Sequence, residues 1–238
     1  MNFTLLLELL IVFLGCFTQS LTGFGVALVT MALLPSLIGL QVATPLVALI
    51  GIVLEAMMLI RYRASLQFKS ILGLMVSATV AIPLGVIYFR RLDEGIALFI
   101  LGLIITMYAL YSLIGFRLPL LAHSIWAWVF GFFGGLLGGA YNTSGPPAVV
   151  YGNCRKWSPQ EFKSNLSGYF LVGSMLVVGT HWAGGNFTPE VWTKFWSTLP
   201  ALLLGFLFGQ GMDRWLNPET FRKIVLAFLV ILGLRLMI

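Results

Sequence analysis

Charge is what this sequence has least of. Asp, Glu, Lys and Arg together make up 9% of its 238 residues, where a soluble domain carries roughly 25%. No polar stretch exceeds about a dozen residues, so there is no room for a soluble domain. Histidine and cysteine are also rare, with two of each. Cys16 and Cys154 lie far apart and read as small buried hydrophobes, not as a disulfide or a metal pair. There is no metal-spaced His/Cys set, no GxSxG and no phosphate loop with a lysine. An enzyme is therefore not expected, nor a metal or cofactor. Basic clusters interleaved with aromatics are missing too, which argues against a nucleic-acid partner.

What remains is apolar. Hydrophobic residues are 59% of the chain and mean hydropathy is +0.99, which indicates an all-α polytopic membrane protein with the lipid bilayer as its solvent. The apolar runs are continuous rather than alternating, so a β-barrel is excluded. Met1-Asn2-Phe3-Thr4 has no positive region and no small-residue cleavage site after it, and it reads as the start of the first membrane segment. The net charge of +6 is expected from loop Lys and Arg acting as topology determinants. The tryptophans, Trp215 among them, fall near expected span ends, as interfacial anchors do.

Two stretches break this pattern. One is Gln19-Ser20-Leu21-Thr22-Gly23-Phe24-Gly25, inside an apolar run over 3–38 that is too long for one span of about 20 residues. The other is Tyr141-Asn142-Thr143-Ser144-Gly145-Pro146-Pro147. Backbone at membrane depth leaves the helix only where protein buries it or a cavity is lined. Two such breaks in corresponding positions of two halves point to a transport site. Further spans are expected near 42–60, 70–89, 95–115, 164–182, 191–211 and 221–238, with the second break flanked by 124–138 and a short return to about 152.

The halves echo each other. Gly85 to Leu92 and Gly209 to Leu216 recur at an offset of 124 residues, and the breaks at one near 119. This sets repeat one at about 1–118 and repeat two at about 119–238 of a single membrane domain.

Charge then separates two topologies. If each break lies in a helix passing straight through, the cations split eight against six. If each is a re-entrant hairpin, Arg61, Arg63, Lys69, Arg117, Arg155, Lys156, Lys163, Arg214, Arg222 and Lys223 share one side. Arg90, Arg91, Lys194 and Arg235 then lie opposite. Ten against four is the bias expected of a cytoplasmic face. This arrangement gives two inverted repeats, each a broken or re-entrant helical hairpin plus three transmembrane helices.

The breaks supply the candidate binding residues: Gln19, Thr22, Gly23, Gly25, Asn142, Thr143, Ser144 and Gly145. Glycines permit close backbone approach or positive φ, Pro146 suits a first helical turn, and Ser144 or Gly145 suits the N-cap. A helix N-terminus at membrane depth offers free N–H groups and a positive dipole end to a small anionic substrate. The alternative is that these small residues only allow tight packing. Glu55 stands inside an apolar span, where ionisable residues mark proton relays. It is the candidate for proton coupling, unless it pairs with Arg61 nearby. Glu8 and His181 are expected at the interface. Asn165, Ser167 and Tyr169 are expected to line a cavity or to link helices.

Taken together, these residues resemble the sulfite exporter TauE/SafE family of membrane proteins. The first copy of its glycine-rich break with a following proline runs from Gly15 through Thr22-Gly23-Phe24-Gly25 to Pro35. The second runs from Gly131-Phe132-Phe133-Gly134-Gly135-Leu136-Leu137-Gly138-Gly139 to Ser144-Gly145-Pro146-Pro147. The Pro83-Leu84-Gly85 turn is similar as well. Where the family carries three glycines in a row, this chain has Phe24 between Gly23 and Gly25. The resemblance implies export of small anions such as sulfite or organosulfonates across the bacterial inner membrane. A non-transporting scaffold or accessory subunit, an anion channel and a homo-oligomeric state all stay open at this stage.

Overall fold

The computed structural model describes residues 3–89, 92–115, 119–212 and 217–238. Arg90, Arg91, Arg117, Arg214, Trp215 and Leu216 lie outside the described residues. All the described secondary structure is helical. The first half holds α1 (Phe3–Thr22), α2 (Val26–Leu33), α3 (Pro35–Ile38), α4 (Leu40–Tyr62), α5 (Phe68–Phe89) and α6 (Glu94–Ile114). The second half holds α7 (Ile125–Tyr141), α8 (Gly145–Cys154), α9 (Pro159–Ala183), α10 (Pro189–Met212) and α11 (Pro218–Leu236). Among the described residues, six helices are long and apolar enough to cross a membrane: α1, α4, α5, α6, α9 and α10. The helices start where chemistry lets them. Ser158 and Glu161 form a capping box ahead of α9, and the Asn217 side chain accepts from the amides of Glu219 and Thr220 ahead of α11.

Burial sorts the helices into two layers. On α4, residues 43–51 are all buried, as are residues 163–170 on α9. These two helices pack on each other at the centre. The remaining long helices turn apolar faces outward: Leu72, Val76 and Val80 on α5, Phe99, Leu103 and Met107 on α6, Ile224, Phe228 and Ile231 on α11. Exposed apolar stripes of this length are stable facing lipid, not water.

Close helix crossings depend on glycine. A Cβ on Gly85 would lie 2.3 Å from the Leu136 carbonyl oxygen, and one on Gly139 would lie 2.1 Å from that of Ile82, so α5 and α7 touch backbone to backbone. The same contact recurs between α10 and α1, where Gly205 and Gly209 meet the backbone of Phe13 and Phe17. Gly85 and Gly209, matched in the sequence, thus meet matched segments of α7 and α1. A third crossing joins α6 and α11 through Gly102 and Gly233. Pro83 lies inside α5 without a turn, which corrects the reading of Pro83-Leu84-Gly85.

The chain gathers its ends at two poles. At one, the Glu8 carboxylate accepts from Lys194 Nζ at 2.8 Å and the Leu40 amide donates to Glu94 at 3.0 Å. Residues from the α3–α4, α5–α6 and α9–α10 junctions line one cavity there. At the other, the ends of α4, α8 and α10 surround a second cavity with the starts of α9 and α11. The segment before α7 is tied to this pole, because Arg155 donates to the carbonyls of Leu121 and Ala122, both at 2.9 Å. α1 therefore leaves the first pole and α3 returns to it, while α7 leaves the second and α8 returns to it. Glu8, expected at the interface, stands at this first pole and is buried at 2% exposure in its ion pair. His181 is likewise buried, its ring bonded to the Asn186 side chain at 2.7 Å.

Candidate functional site

The two breaks meet. Gly23 and Gly25 adopt φ of 89° and 121°, which side chains strongly disfavour, and they turn the chain from α1 into α2. The second turn uses Asn142 at φ 57°, a residue type that tolerates this region. Its amide closes onto Gly138 at 2.8 Å, and the Thr143 amide onto Leu137 at 3.3 Å. Both turns aim a helix N-terminus inward, that of α2 at Val26 and that of α8 at Gly145.

Between them lies a cavity of about 40 Å³. One water needs roughly 10–15 Å³, and a drug-sized ligand roughly 300–1,000 Å³. The space suits a small polar ion. Its polar walls are Gln19, Glu55, Asn142, Thr143, Ser144 and Ser174, and its apolar walls include Val47 and Phe170.

Of the eight binding candidates read from the breaks, six line this cavity: Gln19, Gly25, Asn142, Thr143, Ser144 and Gly145. Thr22 and Gly23 do not. The Thr22 hydroxyl lies 2.8 Å from the Thr18 carbonyl oxygen and 2.7 Å from that of Phe24, and the residue borders the larger cavity at the second pole. Gly23 packs on Lys163 and Phe162. These two residues shape the turn and leave the cavity to its neighbours.

A chain of hydrogen bonds organises one wall. The Val26 amide, at the open end of α2, donates to Gln19 Oε1 at 2.9 Å. That bond fixes the orientation of the Gln19 amide, so its Nε2 donates to Glu55 Oε1. Glu55 is 2% exposed and Gln19 1%. The second Glu55 oxygen is buried without a hydrogen-bond partner. Glu55 thus turns toward the cavity and away from Arg61, which sits exposed at the end of α4.

The other wall differs in kind. Ser144 caps α8 but its side chain makes no cap bond, and Pro146 and Pro147 carry no N–H. α8 therefore presents fewer amide donors than α2; the side chains of Asn142, Thr143 and Ser144 line the cavity here, with the Thr143 hydroxyl 3.5 Å from the Leu137 carbonyl oxygen. Asn142 Nδ2 also donates to the Thr44 carbonyl at 2.7 Å, tying the second turn to α4.

Sequence reasoning missed Val47, Gly51, Phe170 and Ser174 as cavity residues. Helical spacing carried a signal: Val47, Gly51 and Glu55 recur every fourth residue on α4, and Ser167, Phe170 and Ser174 share a face of α9. Ser167 approaches Glu55 without reaching hydrogen-bond geometry. Asn165 instead accepts from the Gln67 amide at 2.8 Å, linking α9 to the start of α5. Among the described residues, no group of His, Cys, Asp and Glu could hold a metal ion. Cys16 and Cys154 are free and buried.

The sulfite exporter TauE/SafE family model matches residues 8–236 of the chain. A Cupriavidus necator protein named "Probable sulfite/organosulfonate exporter TauE" is 26% identical over 233 residues, covering 94% of this chain and 90% of the relative. No solved structure matches the chain.

Proposed function

The chain belongs to the sulfite exporter TauE/SafE family, and from that premise we propose that it is a proton-coupled secondary exporter of small sulfur-containing anions, such as sulfite or organosulfonates. It is a multi-pass protein of the bacterial inner membrane and not an enzyme. The observation that carries the proposal is the convergence of both helix breaks on one small polar cavity. The anion would sit between the α2 N-terminus and the side chains of Asn142, Thr143 and Ser144, held by N–H and O–H donors and the helix dipole.

The coupling reading starts from Glu55, a carboxylate in the same cavity as the anion. Two unit charges about 4 Å apart repel by roughly 4 kcal/mol at an effective dielectric of 20. An anion therefore binds readily only when Glu55 carries a proton, so the two binding events are linked and net direction follows the sum of the anion and proton gradients. The repeat reading draws support from the paths of the hairpins, which leave and return at opposite poles. It also draws support from the reciprocal crossings of α1 on α10 and α7 on α5. Such a pair of inverted hairpins suits alternating access by rocking one repeat against the other. Among the described residues, Arg61, Arg63, Lys69, Arg155, Lys156, Lys163, Arg222 and Lys223 belong to the second pole, with Lys194 and Arg235 at the first. That bias supports a cytoplasmic second pole.

The test is flux in proteoliposomes with sulfite, simple sulfonates and small carboxylates, with and without a pH gradient. Saturable movement of a sulfur oxyanion is expected. Ser144→Ala combined with Asn142→Gly, which keeps the positive φ, should cut flux about 10-fold or more, the worth of hydrogen bonds to a charged group. Wild-type flux in the folded double variant refutes the site. Movement of no anion by folded protein favours an accessory subunit, and conductance without saturation favours a channel.

A further inference from the structure

We infer that the second pole holds a separate anion-binding site, a basic vestibule that gathers small oxyanions before they reach the central cavity. The inference rests on the anion-transport reading for its ligand class, and not on where the central site lies. The vestibule measures about 1060 Å³, and its charged lining among the described residues is Arg61, Lys163 and Arg222 against Glu219. The cavity at the opposite pole, about 630 Å³, has Glu94 and Glu190 and, among the described residues, no Lys or Arg in its lining. Among the described residues, the two cavities are therefore lined by charges of opposite net sign.

The cations are seated on aromatic faces. The Arg222 guanidinium stands 5.4 Å from the centroid of Phe24, the residue between the two break glycines, whose side chain is 4% exposed. Lys163 Nζ lies 5.3 Å over the Tyr62 ring and Arg61 lies 5.7 Å from the same ring. For Arg222 and Arg61, a ring face orients the guanidinium without cancelling its charge, as a carboxylate would. Arg222 is thereby held against the turn that separates the vestibule from the central cavity. A charge placed only as a topology signal needs no such seat, since it acts from the headgroup region. A concave wall with an excess of one sign raises the local concentration of its counter-ion, by a factor of up to 10 to 10³ where one sign lines it throughout.

Trp157 lines the same vestibule and reports on it. The experiment measures iodide quenching of tryptophan fluorescence in the solubilised full chain, with Trp157→Phe defining the Trp157 component. Acrylamide serves as the neutral quencher. Iodide quenching of that component should fall about threefold or more in Arg222→Gln, and in the same direction in Arg61→Gln. Acrylamide quenching should not change. Arg222→Lys should keep the wild-type value, and methanesulfonate should protect Trp157 in competition with iodide. In about 1 M salt, where the Debye length is roughly 3 Å, the wild type should match the Gln variants. The Ser144→Ala, Asn142→Gly variant should quench like wild type, so failure of the central site leaves this result standing. Unchanged iodide quenching in both Gln variants overturns the vestibule site. So does a parallel loss with acrylamide, because the cavity would then have closed and not merely lost charge.

Discussion

Replacing Glu55 by glutamine isolates the coupling. The substitution keeps the side chain's length and an oxygen to accept from Gln19 Nε2, so the hydrogen-bond chain from Val26 persists. It removes only the ionisable group. In the proposed site, an ionised carboxylate would oppose an anion bound about 4 Å away by roughly 4 kcal/mol, or nearly 10³ in affinity at 1.4 kcal/mol per decade. Protonation removes that opposition, so wild-type affinity should be high in acid and fall as Glu55 loses its proton. By linkage, the anion strengthens proton binding by the same factor. In Glu55→Gln the affinity should stay high and flat with pH. Methanesulfonate is a suitable test anion, since it stays ionised across the range and its own titration cannot mimic the effect. Wild-type protein should accumulate it in response to a pH gradient. Glu55→Gln should still exchange it for itself across the membrane but should not accumulate it. Gradient-driven accumulation by Glu55→Gln at the wild-type level would refute the reasoning, and so would a pH-independent wild-type affinity.

Two further predictions concern the frame that holds the site. Gly139→Ala should lower the melting midpoint, by an overpacking cost of about 1–3 kcal/mol, because its Cβ would meet the Ile82 carbonyl oxygen at 2.1 Å. Gly179→Ala on α9, with nothing within 4 Å of its Cβ, should be neutral or slightly stabilising, and equal losses in the two would discount the crossing. Lys194→Met should cost about 3–5 kcal/mol in the same melting assay by stranding Glu8, whose other carboxylate oxygen is already unpartnered. Adding Glu8→Gln should recover most of that loss, and a double variant no better than the single would show that the ion pair is not the cause.

Much of this architecture is local and was therefore legible in the chain. Apolar runs of helical length specify membrane helices wherever they fall, since lipid satisfies no backbone group. Gly23 and Gly25 mark a turn because few other residues adopt their φ, and Pro146 marks a helix start because it needs no donor there. Glu55 was conspicuous simply because a carboxylate at that depth is costly. Gly85 and Gly209, 124 residues apart, both sit at close crossings, of α5 on α7 and of α10 on α1.

Pairing across the chain was not legible, because hydropathy is one-dimensional and contacts between distant helices leave no mark in it. Glu55 had Arg61 nearby in sequence, yet its partner is Gln19, which a turn of two glycines brings to α4. Glu8 and His181 looked interfacial from their positions near helix ends, and the packing of α10 and its loop buries both. Thr22 and Gly23 sit in the same break as Gln19 and Gly25, but the turn directs only the latter pair into the cavity. The sequence alone determined the solvent, the helices and the two places where they break. Tertiary structure decided that the breaks share one cavity and that α4 and α9 form its remaining walls. It also decided which charged side chains, among the described residues, line the cavities at the two poles, because each of these depends on which helix faces lie against one another.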